Sequence, residues 1–269
     1  MLLAAVLAPT AGDPAHAAIL LRALGRRPRG LFIDIDGTLS PIVDTPDRAT
    51  VSPACRKAVG RLTQMLDVVC LLTGRPADDA WRLVGVDDAL YVGEHGAERW
   101  YRGELLRAPG IERYEGRLGR AIGVLRGLLA NTPALTFEQK GIGFAIHYRR
   151  DPSVERTVVD AATRVGRRRG LQVIQRSAHV EVRAPVEGDK GVALAEIASR
   201  HGLAGLVVMG DDPVDAPAFA AARAYGTASG AEVAVVTVGE GLRGTGDVAL
   251  DDPAGTCRLL STLARELGR

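Results

Sequence analysis

Five short apolar runs limit what this chain can fold into: LFI before Asp34, VVCLLT over residues 68–73, LYVGEHG from Leu90 to Gly96, LVVMG ending at Gly210 and VAVVTV ending at Val238. Each is long enough for a strand, and most lack the polar alternation of a half-exposed one. Such strands are covered on both faces, as in a parallel sheet with helices packed above and below. The segments between them supply the helices. Ser52-Pro53 is a good helix start, and Ala54 through Leu66 carries apolar positions at helical spacing. A helix from Lys190 to about His201, one around Ala216–Ala222 and a last one after Pro253 continue the rhythm. The class is therefore α/β, with a doubly wound, Rossmann-like sheet, and ERWYRGELLR adds a hairpin turning near Gly103.

The rhythm breaks between Pro109 and Arg183. There the order is a helix (114–130), two strands (135–140 and 144–148), a helix (153–168) and the strands LQVIQR and HVEVR. Alternation in these strands marks an antiparallel sheet with one exposed face. The organisation expected is a core of residues 29–108 and 186–269, an inserted α+β module at 109–185, and an N-terminal helical extension at 1–28.

Bulk properties remove several functions. A chain of 269 residues with 46% hydrophobic content can bury a large core, and a formal charge of +2 gives no field for non-specific nucleic-acid binding. Cys55, Cys70 and Cys257 are odd in number, far apart and in apolar surroundings, which suits reduced thiols and a cytoplasmic setting. MLLAAVLAP followed by Ala15-His16-Ala17 looks like a short signal sequence. No Lys or Arg precedes the apolar run, however, and AAILLRALGR reads as a peripheral amphipathic helix. No run reaches the ~20 apolar residues of a membrane span. The partner expected is a small molecule, with neither nucleic acid nor membrane; the oligomeric state stays open, and a monomer is compatible.

Ligands of open α/β sheets bind beyond the carboxyl ends of the strands. Four polar clusters lie at such ends: Asp34-Ile35-Asp36-Gly37-Thr38, Thr73-Gly74-Arg75, Asp189-Lys190-Gly191, and Gly210-Asp211-Asp212 followed by Asp215. Strand alternation would send Asp34 and Asp36 to the same side of the sheet, with Gly37 allowing a sharp turn. Taken singly, each cluster has a plainer reading. Thr73 suits a strand-end turn, Asp212 and Asp215 suit a helix N-terminus, and His95 suits a loop. Lys190 at a helix start opposes the dipole, which points to an electrostatic task.

In this order the four clusters resemble the haloacid dehalogenase superfamily of phosphotransferases. The resemblance implies that Asp34 is the nucleophile that becomes phosphorylated, while Asp36 protonates the leaving oxygen and then activates water. It implies Mg2+ held by Asp34, the main-chain carbonyl of Asp36 and Asp211, with Asp212 and Asp215 supporting them, and Lys190 neutralising Asp34 and the bound phosphate. Thr73 and the turns around Gly37, Thr38, Gly74 and Arg75 would hold the phosphoryl oxygens.

Three further stretches narrow the substrate. Leu39-Ser40-Pro41-Ile42 follows the first cluster, the inserted module contains Phe137-Glu138-Gln139-Lys140 and His147-Tyr148-Arg149, and Glu181-Val182-Arg183 precedes the lysine motif. Together they resemble the trehalose-6-phosphate phosphatases over residues 30–260. By that resemblance Glu138, Lys140, Arg149 and Glu181 are cap residues that bond the glucose farther from the phosphate; without it they read as a solvated charged face. The fourth cluster departs from the family, with Val214 replacing a hydroxyl and Ala216-Pro217 replacing an acidic pair. The activity implied is Mg2+-dependent hydrolysis of trehalose 6-phosphate. The alternatives are another sugar-phosphate phosphatase, for sucrose phosphate or a glycosyl-phosphoglycerate, and a non-catalytic phosphosugar-binding regulator.

Overall fold

The computed structural model describes residues 14–43, 46–132, 134–176, 178–185 and 189–269. The chain divides into two compact units, Met1–Leu105 with Gly188–Arg269, and Leu106–Glu187.

In the first unit, α1 (Pro14–Ala23), β1 (Arg29–Ile33), α2 (Pro53–Leu62), β2 (Val68–Leu72), α3 (Ala77–Val84), β3 (Leu90–Gly93) and β4 (Glu98–Tyr101) come first, and β5 (Glu104–Arg107) runs across the boundary after Leu105. The second unit supplies α4 (Glu112–Leu128), β6 (Thr136–Lys140), β7 (Gly143–His147), α5 (Glu155–Arg169), β8 (Gln172–Gln175) and β9 (His179–Arg183). The chain then returns through α6 (Lys190–His201), β10 (Gly205–Gly210), α7 (Ala216–Ser229), β11 (Glu232–Val238), β12 (Val248–Leu250) and α8 (Pro253–Leu267).

The large sheet runs β12-β11-β10-β1-β2-β3-β4-β5. It is parallel from β12 to β3 and antiparallel between β3 and β4. Its central strands β1, β2 and β10 lack alternation because both faces are buried. Leu31 and Ile33 join Leu20, Leu62, Val207 and Leu263 in one cluster, while Phe32 between them joins Cys70, Leu194, Val208 and Phe219 in another. In the second unit, β6-β7-β9-β8 form an antiparallel sheet. Phe144, Ile146, Val180 and Val182 on one face pack with Leu118 and Leu125 of α4 and Val158 and Val165 of α5.

Several elements differ from expectation. The strand expected through Gly96 stops at Gly93, because Glu94 and His95 take positive φ (48° and 57°), a conformation no strand contains. The first strand stops at Ile33, so Asp34 and Asp36 lie on the loop beyond it and strand alternation does not govern their directions. The expected peripheral N-terminal helix is part of the main core, with Leu20 and Leu24 fully buried, while residues 1–13 lie outside the described residues. Helix α3 and the three-residue β12 are additions. No described helix is long and apolar enough to cross a membrane.

Candidate active site

The central strands β1 and β10 deliver their ends side by side, and Asp34 N–H donates to the Met209 carbonyl at 3.0 Å. The chain then doubles back. Gly37 N–H donates to Ser40 O at 2.7 Å, and the Leu39 and Ser40 amides converge on Ile35 O at 2.8 and 2.9 Å. Gly37 has φ +87°, and a Cβ there would run into the Asp211 carboxylate. The turn therefore presses against the end of β10, where the buried Thr38 hydroxyl donates to Asp211 Oδ1 at 3.2 Å.

Lys190 enters from α6. Asp189 caps that helix by accepting the Val192 amide at 2.8 Å, so Lys190 begins the first turn with its side chain 3% exposed. Its ammonium donates to Asp34 Oδ1 at 2.5 Å and to Asp215 Oδ1 at 2.6 Å. The other Asp215 oxygen accepts the amides of Asp211 (3.1 Å) and Asp212 (3.3 Å), holding the loop after β10. Asp212 has the plainer role, accepting the Val214 amide at 3.0 Å in a capping box with Asp215.

Asp34, Asp211 and Asp215 thus each bring an oxygen within 4.8 Å of the others. Lys190 serves two of these carboxylates, Asp34 and Asp215, and the proton affinities of Asp34 and Asp211 respond to the crowding. Burial pushes Asp34 well above the usual carboxylate range, with Asp215 and Asp211 adding to the push and Lys190 opposing it. Asp211 is pushed up to about 6, by burial and then by Asp215. Burial alone would lower Lys190, but Asp34 and Asp215 outweigh it and hold the ammonium charged. Surplus negative charge on buried oxygens fits a hard divalent cation. Asp215 already commits both oxygens to the chain, which leaves Asp34 and Asp211 as the freer donors.

Asp36 lies on the more open side. Arg75 grips its carboxylate with both arms, Nε to Oδ2 and Nη2 to Oδ1, each at 2.7 Å, and reaches Asp79 at 3.4 Å. Motif reading missed this fork, and its signal is the arginine directly after Thr73-Gly74 on the neighbouring strand end. Thr73, 1% exposed, accepts the Arg75 amide at 3.1 Å. The strained Glu94–His95 turn braces this loop: Glu94 N–H donates to Arg75 O (2.9 Å) and His95 N–H to Thr73 O (3.0 Å). The His95 ring packs over Gly74.

The polar face of the second unit brings Glu138, Lys140 and Glu181 together with two residues that the motifs leave unassigned. Lys140 Nζ donates to Glu181 Oε1 at 2.7 Å, His147 Nε2 lies 2.7 Å from Glu138 Oε2, and His179 Nε2 lies 3.3 Å from Glu181 Oε1. Arg149 is exposed in the turn after β7 and takes no part in this network.

A family model described as trehalose-phosphatase matches residues 32–253. A trehalose-phosphate phosphatase from Mycolicibacterium paratuberculosis is 35% identical over 260 residues, which cover 91% of this chain and 64% of the relative. The chain therefore spans just under two thirds of that relative's length. Among solved structures, the C-terminal domain of a C. albicans trehalose-6-phosphate phosphatase superposes with a TM-score of 0.73 at 18% identity, covering 97% of this chain and 99% of that one. A trehalose-6-phosphate phosphatase related protein gives 0.72 at 21% identity, over 88% and 97% of the two chains. At these identities the structures speak for the fold alone.

Proposed function

The chain belongs to the trehalose-phosphatase family, and from that membership we propose that it hydrolyses trehalose 6-phosphate to trehalose and phosphate through a phosphorylated Asp34. The observation that carries this reading is Asp34 itself: a buried carboxylate at the end of a central strand, bonded to a buried ammonium and flanked by Asp211.

A carboxylate approaching a phosphomonoester meets its negative charge, so the site must supply cations. Lys190 supplies one, held against Asp34 by its second bond to Asp215. The donor set suits Mg2+, which Asp34, Asp211 and the Asp36 main-chain carbonyl would hold; when bound it would neutralise phosphoryl charge as a Lewis acid. Asp34 attacks phosphorus while Asp36 delivers a proton to the departing sugar oxygen. Asp36, now a base, takes a proton from water, which attacks the aspartyl-phosphate and regenerates Asp34. Both Asp36 oxygens are held by Arg75, so proton delivery requires one arm of the fork to let go as substrate arrives. The Thr73 hydroxyl and the amides after Asp34 take the non-bridging oxygens.

For the sugar, Glu138, Lys140 and Glu181 combine acceptors and a donor on one face, which suits vicinal hydroxyls of the glucose farther from the phosphate. The test is phosphate release from trehalose 6-phosphate with Mg2+ and with EDTA, beside sucrose phosphate and a glycosyl-phosphoglycerate. Faster turnover of either competitor, or turnover that survives Asp34→Asn, would overturn the reading.

A further inference from the structure

In the four-stranded second sheet, β7 lies between β6 and β9 and carries small residues where these neighbours carry charge. Ala145 pairs with Glu138 on one side and Glu181 on the other, and His147 pairs with Thr136 and His179. Paired residues of antiparallel strands project to the same face, so Glu138, His147, His179 and Glu181 stand together while Phe144, Ile146, Val180 and Val182 fill the core behind them. Lys140 and Glu181 belong to strands that do not touch. Their ammonium and carboxylate nevertheless meet at 2.7 Å, spanning β7 where only Gly143 and Ala145 intervene.

The two imidazoles lie against each other across this row in a tilted arrangement, with centroids 4.9 Å apart and planes 32° apart. Each holds a different carboxylate, His147 that of Glu138 and His179 that of Glu181. The bond from His147 keeps the Glu138 carboxyl below its usual range against the effect of burial. Burial pushes Glu181 up, but bonds from His179 and Lys140 outweigh it. Both groups are therefore carboxylates, which only accept, so the nitrogen facing each must carry the proton. With side chains between 11% and 36% exposed, none of the four is a freely solvated charge.

We propose that His147 and His179 are positioning residues, a pair of adjoining rings that sets the spacing and orientation of Glu138 and Glu181 for the hydroxyls of a neutral sugar. The inference rests on the reading that those two carboxylates recognise sugar. Glutamates have three side-chain torsions and would otherwise sample many rotamers. Ordering them only when sugar binds would weaken binding, whereas a ring already bonded to each holds the acceptors in place. The effect belongs to binding of the distal sugar, not to phosphoryl transfer at Asp34.

Steady-state kinetics on trehalose 6-phosphate and 4-nitrophenyl phosphate test this with His147→Leu, His179→Leu and His147→Gln, alongside Glu138→Ala. Leucine keeps bulk and loses the donor; glutamine restores an N–H of similar reach. Each leucine variant is expected to raise KM for trehalose 6-phosphate by about tenfold. Hydrolysis of the aryl phosphate should stay within about twofold, which also reports that the protein is folded, and glutamine should recover most of the loss. The inference is overturned if Glu138→Ala raises KM and the leucine variants do not, an outcome that leaves sugar recognition standing. It is equally overturned if the leucine variants lose both activities in parallel, or if glutamine is as poor as leucine. Unchanged kinetics in Glu138→Ala would instead remove the sugar-recognition reading, and this inference with it.

Discussion

Lys190 is the cation that pairs with both Asp34 and Asp215 in one buried corner, so replacing it with methionine, similar in length and uncharged, removes the countercharge while nearly preserving shape. Its ammonium lies 2.5 Å from Asp34 and 2.6 Å from Asp215 with the side chain 3% exposed. Removing one partner of a buried ion pair costs about 3–5 kcal/mol, and here two carboxylates lose the same partner, which places Lys190→Met near the upper figure. That is a large part of the ~5–15 kcal/mol that holds a typical domain together. The pH window follows from the direction of the shift. Asp34 and Asp215 raise the folded-state affinity of Lys190 for its proton. Its contribution is thus complete below the ordinary lysine value of about 10.4 and fades only above it. Urea unfolding at pH 7.5 in EDTA therefore reads the whole deficit. The double variant Asp34→Asn/Lys190→Met should regain at least about 1 kcal/mol over the single one, since one orphaned carboxylate is gone. A single variant within about 1 kcal/mol of the parent, or a double variant less stable than the single, would refute the account of this corner.

Three further outcomes are expected. Asp34→Asn should abolish phosphate release from trehalose 6-phosphate while the thermal midpoint stays level or rises, because the amide keeps the shape but cannot attack; residual turnover at a tenth of the parent rate would exclude Asp34 as nucleophile. Asp211, pushed up to about 6, is penalised as an anion in the folded state, so its effect on stability worsens as pH climbs from about 4 to 6 and persists above. Asp211→Asn should therefore stabilise the EDTA-treated protein at pH 7.5 by on the order of 1 kcal/mol after allowing for partial solvent screening, and by almost nothing at pH 4; equal gains at both pH values would contradict the cause given. Gly37→Ala meets both a positive φ and the Asp211 carboxylate, so it should cost roughly 1–3 kcal/mol in urea and depress phosphate release, and a variant with parental midpoint and rate would show the turn is not so constrained.

The parallel sheet is legible in the sequence for a physical reason. Leu31, Phe32 and Ile33 are all fully buried, and only a strand covered on both faces can be apolar without alternation. Helix α3 and strand β12 are not legible, since eight and three residues give periodicity too little length to register. In the second unit, the alternation of Val180 and Val182 with His179 and Glu181 correctly separates core from polar face, but no local pattern discloses that the rings of His147 and His179 would meet. That contact depends on the register between β7 and β9.

The two aspartates of the first motif show the same limit where it matters most. Spacing by two on a strand would give them one direction and one environment, yet β1 ends at Ile33 and the loop parts them. Asp34 turns inward to Lys190, a residue 156 positions away, and is 5% exposed. Asp36 turns to Arg75, which stands beside it because β1 pairs with β2 through Ile33 and Leu71, and its side chain stays 39% exposed. A nucleophile needs a fixed cation and shelter from water, whereas a group that gives and then takes a proton needs access to the leaving oxygen and to the incoming water. In the proposed reaction, burial, set by sheet neighbours rather than by the motif, is what would divide the two roles between two chemically identical side chains.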